Sequence, residues 1–367
     1  MTDARIANLA RIMVGYSLKL NKGERVAISG TTLAAPLLLA LQREALLAGA
    51  HPHLLAELPQ SEHILLTEGT IPQIAYVSPF QRIVVEEFDA MIRIASAANT
   101  RSLSGIEPRR QHARSQALAP LTKTRFQRGS TGSFRWVLSM FPTNAYAQDA
   151  EMSLQEFEDY VYHATFADSD DPIRSWQKVH DEQQRYVDWL KGKSDVRVKG
   201  RDVDLSLSIA GRTFRNSDGD RNMPSGEIFT GPVEQSVNGW IRFQYPAIFA
   251  GHAVEDVRLE FERGKVVSAT AKKNEAFLQR MIASDPGASY LGEFAMGTNR
   301  NINRFIGNIL FDEKIGGTIH VALGRGYPET GSRNESAIHW DMICDMRADG
   351  EITVDDELIY QSGNFLI

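Results

Sequence analysis

The sequence predicts an α/β plus α+β protein: an N-terminal open α/β sheet domain over residues 1–191, followed by a sheet-rich α+β domain over residues 192–367. Three observations carry this. A chain of 367 residues is longer than one hydrophobic core usually serves. In the first half, short apolar runs alternate with segments of helical spacing. After residue 194 the pattern changes to period two, the mark of half-buried antiparallel strands.

In order, Ile6, Leu9, Ile12, Met13 and Tyr16 give a first helix over 4–19. Asn21-Lys22-Gly23-Glu24 turns the chain into a strand, Arg25–Ser29. Gly30-Thr31-Thr32 opens a helix that runs to about Ala48 and ends at Gly49; His53–Ala56 is the next strand. This β-α-β unit implies a parallel pair. Phe88–Ile94 and Trp136–Met140 read as further strands. Gly129-Ser130-Thr131-Gly132-Ser133 lacks the Gly-Lys-Ser/Thr ending of a phosphate loop and reads as a flexible connection. Arg109, Arg110, His112 and Arg114 read as a solvated helix face. Residues 153–191 are helical, with Ser153 and Glu156 as a capping box and a break at Asp168–Pro172. Beyond it, Asp195–Lys199 and Val203–Ile209 alternate apolar and polar residues. Val257–Phe261 and Val266–Ala269 form a hairpin around Arg263-Gly264. Helices are expected over Asn274–Ala283 and Asn301–Phe311, and the tail ends in strands.

The 43% hydrophobic and 23% charged residues are the balance of a globular protein with sizeable cores. A net charge of −6 argues against a general nucleic-acid binder. Cys344 is the single cysteine, so no intrachain disulfide is possible, and it reads as a small core residue. The N-terminus carries early charges rather than a secretory signal, and no run of ~18 apolar residues suggests a membrane span. Cytoplasmic residence is the expectation.

The chemistry gathers between Tyr290 and Asp341. Glu293, Glu313 and Asp341 are carboxylates; His320 and His339 are imidazoles; these are the ligand types of Zn²⁺, Co²⁺, Mn²⁺ and Fe²⁺. In a strand, His339 and Asp341 face one side and Trp340 the other. His320 lies in a second strand-like run, T-I-H-V-A-L. Gly226-Glu227 and Gly292-Glu293 place an acid beside a residue that allows close backbone approach. Glu227 sits in the rigid run Asn222–Pro232.

The successive segments N-M-P-S-G-E-I-F-T-G-P-V-E, L-G-E-F-A, L-F-D-E, H-V-A-L-G-x-x-Y-P and S-A-I-H-W-D-M, between about residues 220 and 345, resemble the motifs of the aminopeptidase T / aminopeptidase S metallopeptidases. The resemblance implies an aminopeptidase with two divalent ions (Zn, Co or Mn) in the C-terminal domain, acting on peptides, in a homodimer. Glu227, Glu293, Glu313, His320, His339 and Asp341 match the family's ligands, Glu293 the acid that bridges both ions, and Tyr327 the tyrosine beside them. The Glu293–Glu313 segment is shorter than in long family members. The Glu313–His320 loop is longer by Gly316-Gly317, so Asp312, or no residue at all, stands as an alternative to Glu313. Dihydroxypyridine ring-cleavage dioxygenases resemble shortened relatives; they use one Fe(II) held by two histidines and a carboxylate. That is the alternative function.

Overall fold

Arg25–Thr31, His51–Glu57, Ala90–Ala95 and Arg135–Met140 lie parallel in one sheet, in the order His51–Glu57, Arg25–Thr31, Ala90–Ala95, Arg135–Met140. The short strand Asn222–Met223 extends it beside Arg135–Met140. Parallel neighbours cannot be joined by a tight hairpin. Helices make the crossovers: Ala35–Leu47 between the first two strands and Pro108–Ser130 before the fourth. Ala35–Leu47 has Pro36 in its first turn, where a missing N–H costs nothing, and the chain leaves it through Gly49 at φ +78°. The computed structural model describes residues 3–367.

The chain divides into two units. One runs to Trp176 and takes back Gly219–Pro224; the other comprises Gln177–Asp218 and Ser225–Ile367. The seam falls inside the helix Pro172–Leu190, whereas the sequence suggested a division at residue 191. Trp176 explains it. Its indole is fully buried, packs edge-on to Phe166 and donates to the Thr165 carbonyl, so the first turn belongs to the first unit. Tyr186 and Leu190, on later turns, join the core of the second.

Two antiparallel sheets of the second unit share one apolar cluster, and a two-stranded ribbon, Ala247–Phe249 with His252–Val254, accompanies them. The larger, of eight strands, contains the strands read from period two, Asp195–Gly200 and Val203–Ser208, and the expected hairpin, Val257–Glu262 with Lys265–Thr270. The smaller runs in the order His339–Asp345, Thr318–Gly324, Leu291–Gly297, Glu227–Thr230, Arg215–Ser217.

Two expectations are corrected. The helix over Asn301–Phe311 shrinks to one turn, Ile309–Asp312. The Asn299 side chain accepts from Asn301 N–H, Gly307 takes φ +74°, and Asn308 caps Leu310; these local bonds compete with a longer helix. The basic cluster is not simply solvated: Arg110 donates to the Gly69 carbonyl at 2.6 Å, and Arg114 to those of Ile74 and Tyr76 at 3.2 and 3.0 Å. The remaining members, Arg109 and His112, are exposed.

Candidate metal centre

The five-stranded sheet sorts its side chains by parity. Gly324, Ala322 and His320 pair with His339, Asp341 and Ile343. Glu293 pairs with Ala322, Ala295 with His320, and Gly297 with Glu227. Glu227, Glu293, His320, His339 and Asp341 therefore share one face. The alternate residues Ile228, Phe294, Met296, Ile319, Val321, Leu323, Trp340 and Met342 lie in the apolar cluster. Burial of that face fixes the register, because a one-residue slip would exchange core and donors.

Two glycines make the arrangement possible. The pairing of Leu291–Gly297 with Thr318–Gly324 slips between Leu291 and Glu293, a bulge at Gly292. A Cβ at Gly292 would lie 2.4 Å from the Arg325 and Gly324 carbonyl oxygens. Gly226 has φ +117°, and a Cβ there would stand 2.6 Å from that of Asn299. The backbone behind Glu227 is held by buried Gln183, which donates to the Glu227 and Ser217 carbonyls at 3.1 Å each and accepts from Thr298 Oγ1.

His320 Nε2 lies 3.4 Å from Glu227 Oε2 and 3.6 Å from Glu293 Oε1; His339 Nε2 lies 3.3 Å from Glu293 Oε2 and 3.4 Å from Asp341 Oδ1. These separations exceed those of good hydrogen bonds, 2.7–3.2 Å. Two ligands each about 2.1 Å from one ion at the tetrahedral angle stand roughly 3.4 Å apart. The buried atoms Glu227 Oε2 and Asp341 Oδ1 have no hydrogen-bond partner among the described residues. Such a donor set fits divalent cations. It resolves into Glu227, Glu293 and His320; Glu293, His339 and Asp341; and Glu313, His320 and Asp341, the donor atoms of each lying within 4.8 Å of one another.

The electrostatics agree. Burial opposes ionisation of Glu293, His320, His339 and Asp341, and the neighbours of these four overcome it. Glu293 stays below the usual carboxylate range because His320 and His339 face it. His339 and Asp341 hold each other charged, His339 raised and Asp341 lowered. His320, with Glu293 and Glu227 against it, is raised to about 9. Bound cations would take the place of these imidazole protons. His339 Nδ1 donates to the Arg325 carbonyl at 2.6 Å, which leaves Nε2 to face the carboxylates.

Tyr327 closes one side. Its ring stands edge-on to His339 at 5.1 Å and against Phe229 at 5.3 Å, and burial raises its pKa well above the ordinary phenol value. Asp312, the alternative to Glu313, turns instead to the loop before it: it accepts from Ile306 N–H at 2.8 Å, and burial pushes its pKa up to about 8. Glu313 reaches the third donor group, with its pKa raised by burial. The sequence reading missed Lys314, whose buried ammonium contacts Glu313 Oε1 and lies 3.4 Å from Glu227 Oε1. The available signal was a lysine directly after a candidate ligand, in an otherwise apolar Ile309–Ile315 run broken only by that ligand and its neighbour Asp312.

With this geometry in hand, the sequence model of the thermophilic metalloprotease (M29) family matches residues 2–365. The chain belongs to the M29 family of thermophilic metalloproteases. Membership makes it a metal-dependent hydrolase of peptides, and bears out the resemblance drawn from the motifs. Aminopeptidase 2 of Geobacillus stearothermophilus is 26% identical, the match covering 99% of this chain and 98% of that protein. The structure of wild-type AmpT from Thermus thermophilus matches at a TM-score of 0.86 and 22% identity over 99% of both chains. The 2,5-dihydroxypyridine dioxygenase of Pseudomonas putida KT2440 matches at 0.59 and 14% identity, over 100% of this chain and 98% of that one. These two likenesses concern the fold, and the mixed α/β and α+β class expected from the sequence agrees with them. Among the described residues no helix is long and apolar enough to cross a membrane.

Proposed function

We propose that the chain is an aminopeptidase that removes the N-terminal residue of peptides at a centre of two divalent ions, Zn²⁺, Co²⁺ or Mn²⁺. One observation carries the reading: Glu293 directs Oε1 at His320 and Oε2 at His339, so it belongs to two donor groups at once. Glu227, Glu293 and His320 would hold one ion, and Glu293, His339 and Asp341 the other. Glu313 supplies a sixth donor. When bound, such ions lower the pKa of a water towards neutrality and polarise the scissile carbonyl.

The chain's own residues do the rest. The Arg325 carbonyl fixes the His339 tautomer. Tyr327 keeps its proton and serves as hydrogen-bond donor to the oxyanion of the tetrahedral intermediate. The near-total burial of Glu227, Glu293 and His320 excludes bulk water from the donor face. The names of the relatives support the amino-end preference. The proposal includes a cytoplasmic homodimer; sedimentation at assay concentration tests the dimer, and a fully active monomer would remove it.

Glu293→Gln tests the centre. Without the shared carboxylate, two cations face each other with their repulsion poorly offset. Metal per chain, read by mass spectrometry, should fall by more than one ion, and hydrolysis of leucine p-nitroanilide should vanish. A parent chain that holds a single iron and consumes oxygen with a dihydroxypyridine would replace this reading with the dioxygenase one.

A further inference from the structure

Lys314 is fully buried, at 0% exposure. An ammonium is too costly to bury without partners, and this one stands against two carboxylates. Nζ contacts Glu313 Oε1 and lies 3.4 Å from Glu227 Oε1. The pairing uses a single oxygen of each glutamate. The other oxygen of Glu227, Oε2, is buried, lacks a hydrogen-bond partner, and faces His320 Nε2 at 3.4 Å. The lysine backbone is itself anchored: its N–H donates to the Phe311 carbonyl at 2.9 Å, and its carbonyl accepts from Asn299 N–H at 3.1 Å. Asn299 in turn donates from its side chain to the Ser225 carbonyl at 2.8 Å, two residues before Glu227.

We infer that Lys314 is a positioning residue of the metal centre, clamping one oxygen of Glu227 and one of Glu313 so that each presents its other oxygen to the cations. This rests on the two-ion reading above. A free carboxylate can rotate or bind an ion through both oxygens; one held by a fixed ammonium offers a single oxygen in a set direction. The lysine also offsets part of the repulsion among four neighbouring carboxylates, which keeps the donor face assembled before an ion arrives.

The test is a Co²⁺ titration of the chelator-stripped full chain, read by competition with a chromophoric chelator and by the visible d–d absorption of bound cobalt. The parent should take two Co²⁺. Lys314→Met should bind Co²⁺ on the order of 10–100-fold more weakly, the usual effect of losing a residue that orients a ligand. Its d–d bands at saturation should also differ, because Glu227 and Glu313 are free to bind differently. Since that variant leaves buried carboxylates unpaired and can fail to fold, Lys314→Met is also made in a Glu313→Gln background and compared with Glu313→Gln alone. Weaker binding and altered bands should persist there, through Glu227. Unchanged or tighter affinity with unchanged bands in the folded variants overturns the clamp while leaving the two-ion centre standing. A parent that takes up no cobalt overturns the centre and the clamp together.

Discussion

Tyr327 and Cys344 show how burial sets chemistry one side chain at a time. For both, desolvation penalises the anion. The phenol is held well above its ordinary pKa, and the thiol is pushed up to about 12. Tyr327 therefore stays a donor at neutral pH. Tyr327→Phe should lower kcat by about 10²–10³-fold with KM little changed, the pattern of an interaction made in the transition state; steady-state kinetics with a dipeptide substrate would show it, and a loss confined to KM would reassign the residue to binding. Cys344 lies on the apolar side of its strand, turned away from the donors, as a neutral thiol. Cys344→Ser should retain catalytic activity with a modest loss of stability from burying a hydroxyl. Loss of turnover with metal still bound would contradict this.

Among the elements, the two strands carrying Glu293 and His339 enter the sheet from loops fastened by one carboxylate. Asp285 accepts from Gly287 and Ala288 N–H through Oδ1, at 2.9 and 3.0 Å, and from Ser336 Oγ and Ala337 N–H through Oδ2, at 2.8 and 2.9 Å. Although desolvation opposes it, these four bonds depress the Asp285 pKa. A depressed native pKa gives stability that is present above the unfolded value, about 3.9, and lost as pH falls through the native one. Asp285→Ala should therefore cost about 1 kcal/mol at pH 7, the scale of a lost cap, and less at pH 2.5; urea midpoints at the two pH values test this, and an equal gap at both would reject it. Strands were the most legible elements because half-burial writes itself as alternation, as in Val203–Ser208 and Val257–Glu262. The His339-Trp340-Asp341 triplet was legible for the same reason. The loop from Asn299 to Asn308 was not: Asn299 and Asn308 bond to nearby backbone and interrupt the helix, and Asn299 also donates to the Ser225 carbonyl, which only the fold brings near. Lys314 was hidden in the same way: its partner Glu227 lies 87 positions earlier in the chain.

For the whole molecule, every proposed donor belongs to the unit of Gln177–Asp218 and Ser225–Ile367, and none to the parallel-sheet unit. Cation binding favours only states in which the donors are assembled, and stabilises them by RT ln(1 + [L]/Kd), about 4 kcal/mol at a thousandfold excess over Kd. Local opening that leaves the donors in place gains nothing from the ion. Removing the metal should thus raise amide exchange in Glu227–Thr230, Leu291–Gly297, Thr318–Gly324 and His339–Asp345. Exchange in Arg25–Thr31, His51–Glu57 and Ala90–Ala95 should stay nearly the same. Without ions, the donor strands retain the apolar packing of Phe294, Val321 and Trp340 on their other face. The rise should therefore be partial, short of complete unfolding of the sheet. Hydrogen–deuterium exchange with and without chelator reads both sets of peptides in one experiment. Equal increases in the two units would mean that they open as a single cooperative body, and that the stability supplied by the metal is not confined to the sheet that holds it.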